Sequence, residues 1–154
     1  MMRRSFLAGT ASVAGLAGHR AVAAQGYEVT RTEAEWRAML TDLEYSVMRE
    51  EATERAYTSP LNDEKRAGTF LCKGCEQPVY SSETKFDSGT GWPSFTSAIE
   101  GGIGTKQDRS FFMTRTECHC SRCGSHLGHI FDDGPEPTGM RHCINGVSMT
   151  FAPA

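Results

Sequence analysis

Two Cys-x-x-Cys knuckles, Cys72-Lys73-Gly74-Cys75 and Cys120-Ser121-Arg122-Cys123, lie more than forty residues apart in a chain of 154. Together they offer four thiolates, the ligand set that closes a tetrahedral structural zinc site. A metal held this way forces two distant stretches to meet, and so limits the possible folds more than any other feature. The separation is too long for a compact nucleic-acid-binding ribbon and suits a staple between two hairpins of one larger β domain. A closed four-sulfur site has no open position for substrate, which places any chemistry elsewhere. Other uses of the cysteines stay open. Six could form three disulfides, although each knuckle would then close a short, strained loop or cross-pair. A thioredoxin-type redox pair should open a helix after a strand, and one chain has little use for two.

The sequence around the knuckles is consistent with a mainly β fold. From Thr69 onward, short apolar runs are punctuated by Gly, Pro and Ser: Thr69 to Leu71, Pro78 to Tyr80, Ser110 to Glu117, Gly128 to Phe131 and Gly146 to Phe151. Such spacing predicts short antiparallel strands rather than strands alternating with helices. Ahead of them, Thr32-Glu33-Ala34-Glu35 matches a capping box, and Trp36, Met39, Leu40, Leu43 and Val47 recur at helical spacing. These predict one amphipathic helix from about Thr32 to about Glu50. Residues Glu51 to Gly68 have turn chemistry and little periodicity, as expected of a long loop.

Residues 1–24 stand apart. Arg3-Arg4-Ser5-Phe6-Leu7, an Ala/Gly/Val/Leu run to Gly18, and Ala21-Val22-Ala23-Ala24 resemble a bacterial twin-arginine export signal. This leaves residues 25–154 as the single mature domain and predicts a periplasmic location. The apolar run is too short and too rich in glycine for a permanent membrane span. Without Arg3, Arg4 and Arg20, 13 of the 16 basic residues remain against 19 acidic ones, a net charge of −6. An acidic surface argues against a nucleic-acid partner, which would need a basic stripe.

Three stretches carry chemistry-bearing side chains. Cys143, in Met140 to Phe151, is the one cysteine more than a few residues from any other. If that segment is one strand, Cys143, Asn145, Val147, Met149 and Phe151 share a face. A free cysteine is often only a small core hydrophobe, but a solitary thiol is also available as a nucleophile. Ser125-His126-Leu127-Gly128-His129 follows the second knuckle at once, so a metal there would fix the base of a hairpin bearing two imidazoles. A protonated imidazole lowers a neighbouring thiol's pKa and can later deliver its proton to an oxygen. Gly89-Thr90-Gly91-Trp92-Pro93 makes a tight, stiffened loop with an indole at its tip. That indole could be a core plug or the wall of a pocket for a small methyl group. The sixth cysteine, Cys118, would face with Cys120 in a strand, and is either packed in the core or a redox partner for Cys143.

Four strings then carry a resemblance over nearly all of the mature chain: Cys72-x-x-Cys75; Thr84 to Phe95; Cys120-x-x-Cys123 through Pro135; and Arg141-His142-Cys143-Ile144-Asn145. With them the chain resembles the methionine sulfoxide reductase B family, enzymes that reduce methionine-R-sulfoxide. The resemblance implies two antiparallel β-sheets with short N-terminal helices packed alongside, and structural zinc at Cys72, Cys75, Cys120 and Cys123. It implies Cys143 as nucleophile, with His129, His126, Asn145, Trp92 and Phe131 around the substrate. The histidines would protonate the departing oxygen, Asn145 would orient an imidazole or the thiolate, and Cys143 would be left as a sulfenic acid. The expected partners are methionine-R-sulfoxide in oxidised proteins and a thioredoxin-like or other dithiol reductant. Thr90 stands where many relatives have a resolving cysteine, so either Cys118 resolves the sulfenic acid or an external dithiol reduces it directly. His142 replaces a common tyrosine, and Phe112 a common glycine. The competing functional readings are a non-enzymatic zinc-stapled binding module and a disulfide-framework secreted protein.

Overall fold

The structure, a computed structural model, describes residues 26–154; the export signal expected over 1–24 lies outside the described residues. Two short helices come first, α1 (Glu33–Met39) and α2 (Asp42–Glu50). The single helix expected over this region is interrupted because Thr41-Asp42-Leu43-Glu44 is a second capping box. Thr41 accepts from the Glu44 amide while the Glu44 carboxylate accepts from the Thr41 amide, just as Thr32 and Glu35 do one helix earlier. Leu40, the C-cap of α1, and Thr41, the N-cap of α2, are both extended, and an N-cap requires such non-helical backbone. Trp36 from α1 and Tyr45, Val47 and Met48 from α2 are buried.

The body is antiparallel β throughout. One sheet holds β1 (Gly68–Cys72), β2 (Pro78–Ser81) and β9 (Met149–Pro153) in the order β2-β1-β9. The other holds β3 (Lys85–Phe86), β4 (Ser94–Phe95), β5 (Ile103–Asp108), β6 (Arg115–Cys120), β7 (His126–Phe131) and β8 (Arg141–Ile144) in the order β3-β4-β8-β7-β6-β5. The expected class, mainly β with two antiparallel sheets and short N-terminal helices, is the one observed. One core draws on both sheets and on the helices. Phe70, Tyr80, Phe95, Leu127 and Ile144 are fully buried in it; burying each such side chain contributes about 1.5–3 kcal/mol. Tyr80 stacks on Phe95 with ring centroids 4.3 Å apart, and Phe70 meets Phe95 edge-on at 5.0 Å.

Two segments depart from expectation. Met140 to Phe151 is not one strand: β8 ends at Ile144, a 3₁₀ turn spans Gly146–Ser148, and β9 then joins the other sheet. The turn is held from outside, because the Gly146 and Val147 amides both donate to the Glu54 carboxylate and the Ser148 hydroxyl donates to the His126 carbonyl. In the expected strand from Ser110 to Glu117, Ser110–Phe112 form a 3₁₀ turn and β6 starts only at Arg115. β5, with its polar Thr105-Lys106-Gln107 run, is an edge strand that the apolar pattern did not reveal. No helix among the described residues is long and apolar enough to cross a membrane.

Candidate active site

The two knuckles come together as their spacing predicts. The sulfurs of Cys72, Cys75, Cys120 and Cys123 all lie within 4.8 Å of one another. Cys72 and Cys123 are 3.6 Å apart, and Cys75 and Cys120 3.5 Å. A tetrahedron of sulfurs about 2.3 Å from a central zinc has edges of ~3.8 Å, so the donor set fits a thiolate-binding cation. Each turn is built to cluster thiols: the Glu76 amide donates to the Cys72 carbonyl and the Gly124 amide to the Cys120 carbonyl. Gly124 has φ +70°, and a Cβ there would come within 2.3 Å of the Tyr27 ring. The cluster ties β1 to the β6–β7 hairpin, on which the histidines stand.

Strand register assembles the second group. β7 and β8 pair so that His129 lies opposite Cys143 and Phe131 opposite Arg141, while β6 sets Glu117 opposite His129. Side chains directly opposite have Cβ atoms about 5 Å apart on one face. Gly128 permits the approach, since a Cβ there would sit 2.0 Å from the Cys143 carbonyl oxygen. A cleft of about 120 Å³ opens on this face, lined by Thr53, Trp92, Arg115, Gly128, His129, Phe131, Cys143 and Asn145. Of the residues expected around a substrate, Cys143, His129, Asn145, Trp92 and Phe131 therefore meet in one place.

Burial pushes the Cys143 thiol above its ordinary value, opposed by the Thr90 hydroxyl and the Arg141 guanidinium. The resting sulfur is thus mostly protonated at neutral pH. Thr90 Oγ1 lies 3.9 Å from Cys143 Sγ and continues a chain of hydroxyls, 2.8 Å to Ser88 and a further 2.7 Å to Ser94. Arg141 is itself fixed by two bonds to Asp133 at 2.8 and 2.9 Å, and lies over the Phe131 ring.

His129 is oriented by Asp108, whose Oδ2 lies 2.9 Å from Nε2. Hydrogen bonds from the Ser110 amide and hydroxyl, and from His129, hold the Asp108 carboxyl well below the usual carboxylate range. Burial, partly offset by Asp108, lowers the His129 pKa. A neutral His129 donating Nε2–H to this carboxylate leaves Nδ1 to accept a proton, as a Cys–His–Asp arrangement requires. His126 does not line the cleft. It is 2% exposed, holds Glu117 through Nδ1 at 2.6 Å and packs edge-on behind His129 at 5.4 Å. Its Nε2 is buried without a partner among the described residues.

Glu117 accepts from both His119 and His126. Burial alone would raise its pKa, but the two imidazoles outweigh this and bring it down from 4.5 to about 2. A depressed carboxyl contributes stability that is complete above the unfolded value and disappears as pH falls through the folded one. The wild-type chain is therefore expected to lose a few kcal/mol between about pH 5 and pH 2 through this group. Urea midpoints across that range check it, and Glu117→Gln should show a flatter dependence.

The SelR-domain family model matches residues 40–153. The chain belongs to the methionine sulfoxide reductase B family. A protein of Methanosarcina barkeri named peptide methionine sulfoxide reductase MsrB is 51% identical over 124 residues, covering 80% of this chain and 87% of its own. Proteins with the same name from Agrobacterium fabrum and Pseudomonas putida are 46% and 50% identical over 127 residues, covering 82% of this chain and 94% and 96% of their own.

Within this MsrB-family fold the geometry amends three expectations. Asn145 spends its amide on the backbone rather than on an imidazole or the thiol, accepting from the Glu54 amide at 2.9 Å and donating to the Leu127 carbonyl at 3.0 Å. Cys118 does not stand beside Cys143 in this structure. Its partner across β6–β7 is Gly128, whose partner on β8 is Ile144, so it projects from the opposite face, two strands or roughly 9.6 Å away. A disulfide needs Cα atoms within about 7 Å. Cys118 is also fully buried, and burial pushes its thiol up to about 12 against the nearby Tyr80 hydroxyl. The third amendment concerns His126, which packs on His129 and is not part of the cleft lining.

Sequence reasoning missed Glu54, in the loop before β1. Its carbonyl accepts from the Trp92 indole at 3.0 Å, its amide donates to Asn145, and its carboxylate holds the turn after β8. One residue thus locks the indole, the amide and the strand end that carries Cys143. Sequence reasoning also missed Asp108 and Arg115, which belong to none of the four strings, and gave Arg141 no role although it stands in the Cys143 string.

Proposed function

We propose that this chain reduces methionine-R-sulfoxide to methionine, repairing oxidised polypeptides, with Cys143 as the reacting thiol. The observation that carries the reading is the register of β7 on β8, which sets the half-buried Cys143 opposite an Asp108-oriented His129 in a cleft walled by Trp92. Trp92 and Phe131 hold the methyl group and exclude water. As substrate enters, the thiol proton passes to His129 Nδ1 and the thiolate attacks the sulfoxide sulfur. His129 then gives the proton to the sulfoxide oxygen. The oxygen is transferred to Cys143, which becomes a sulfenic acid as its sulfur loses two electrons; the sulfoxide sulfur gains them, and methionine leaves. Two thiols of an external dithiol then restore the Cys143 thiol, releasing water and leaving the reductant as a disulfide. The distance and facing of Cys118 support this direct route. A non-enzymatic binding module would have no use for a thiol opposed to an oriented imidazole.

Cys72, Cys75, Cys120 and Cys123 would hold zinc, which when bound would neutralise the crowded thiolates and clamp β1 to the hairpin bearing His129. The twin arginines support export, and with it a dedicated periplasmic dithiol reductant, since that compartment is otherwise oxidising. Cell fractionation checks the location: wild type is expected in the periplasm and the Arg3→Lys, Arg4→Lys double variant in the cytoplasm. Assay of the purified chain on resolved sulfoxide diastereomers, with dithiothreitol as electron donor, tests the activity. Consumption of the R form alone is expected, and no turnover of either form contradicts the proposal.

A further inference from the structure

The cleft of about 120 Å³ is smaller than the ~300–1,000 Å³ of an ordinary small-molecule site. It admits the methylsulfinyl end of one side chain, so whatever flanks that side chain in a polypeptide lies on the rim. On one side the rim continues into a groove lined by Met113, Thr114, Arg115, Thr116, Ile130, Phe131, Asp132 and Met140. Arg115 and Phe131 line both cleft and groove. Beyond the groove stands the turn at Ser110–Phe112, where Phe111 is 80% exposed, Phe112 is fully exposed and Met113 is 54% exposed.

This tip is unfavourable by itself. Phe111 and Phe112 have φ of +55° and +58°, a left-handed conformation that L-residues other than Gly, Asn and Asp seldom adopt even singly. The strained backbone places two phenyl rings in water, where neither gains burial. The tip is nonetheless anchored to the catalytic face. The Ser110 amide donates to Asp108 Oδ1, whose other oxygen holds His129, and Arg115 donates to both Asp108 and the Ser110 hydroxyl. An observed backbone outlier of this kind, continuous with a cleft, points to binding.

We propose that the Phe111-Phe112-Met113 tip and the groove behind it bind apolar residues flanking a methionine sulfoxide in an extended polypeptide. The chain thereby selects oxidised methionines in exposed former core segments. This rests on the reductase reading of the cleft. The apolar flanks dock against Phe111, Phe112, Met113 and Met140, with Thr114 and Thr116 among the residues that line the groove.

The test compares a capped methionine-R-sulfoxide with no flanking residues, a peptide with leucines around the sulfoxide, and one with glutamates there. All assays use dithiothreitol, so no protein reductant intervenes. Phe111→Asn with Phe112→Gly keeps residues that accept positive φ while removing both rings. Wild type should prefer leucine flanks. The double variant should lose about tenfold in kcat/KM on the leucine peptide, the factor expected for losing part of an aromatic contact, and stay within about twofold on the capped substrate. Equal losses on all three substrates would instead show that the tip acts through Asp108 and His129, and would overturn the proposal. It is overturned also by unchanged kinetics, or by wild type showing no preference for leucine over glutamate flanks. Two binding measurements address other occupants: a wild-type dimer that the variant dissociates, or pelleting with phosphatidylglycerol vesicles that the variant loses, assigns the tip elsewhere. Failure of wild type on every substrate removes the reductase reading, and is distinguishable because it appears before any variant is made.

Discussion

Cys143→Ser is expected to lower kcat/KM for methionine-R-sulfoxide by about 10⁴-fold or more, the scale on which removing a nucleophile acts, while the melting temperature barely changes. Serine is nearly isosteric with cysteine, and Cys143 is only half-buried at the cleft wall. The hydroxyl has neither the nucleophilicity nor the oxidation chemistry of a thiol, so it cannot take the sulfoxide oxygen. Cys118→Ser supplies the contrast. Its sulfur is fully buried, high in pKa and on the far face of the sheet, so turnover with an external dithiol is expected within about twofold of wild type once folded protein is counted. Single-substrate kinetics on the two variants distinguish the reacting thiol from the packed one.

Loss of the metal should be the largest single blow to stability. Cys72 and Cys75 close the end of β1, while Cys120 and Cys123 close the hairpin that presents His126 and His129. Structural four-cysteine zinc sites contribute folding energy on the order of 10 kcal/mol. Against a total of about 5–15 kcal/mol for a domain, Cys120→Ser, or chelation in mild denaturant, should unfold the chain or lower its melting temperature by ~20 °C or more. Differential scanning calorimetry with metal analysis of the same samples reads both quantities. One zinc per chain is expected, released in step with unfolding. The four-sulfur site lies apart from the cleft, so loss of turnover on chelation is expected to track unfolding rather than precede it.

Motifs that act locally could be found in the sequence, and arrangements that depend on register could not. The knuckles, the lone thiol, the His-x-x-His string and the Trp-Pro turn each announce themselves within a few residues, and the structure brings most of them to one face. Asp108 and Glu117 become histidine partners only through the alignment of β5, β6 and β7, which strand pattern alone leaves undetermined. Glu54 sits in a turn-rich loop without periodicity, and acts on Trp92 and Asn145 through its backbone groups, which carry no sequence signature. The break at Thr41 was legible, since its Thr-x-x-Glu box repeats the one at Thr32, but the continuous apolar spacing concealed it. That Cys118 faces with Cys120 could be read from parity; that this face is turned away from Cys143 needed two strand registers together.

The most direct test of the central claim is mass spectrometry of the wild-type chain after one equivalent of methionine-R-sulfoxide without reductant, with dimedone added to trap sulfenic acid. One methionine released per chain and one dimedone adduct, on Cys143 alone, is the predicted result. A Cys118–Cys143 disulfide would contradict the direct recycling route. Methionine formed with Cys143 unmodified would contradict the account of the chemistry itself.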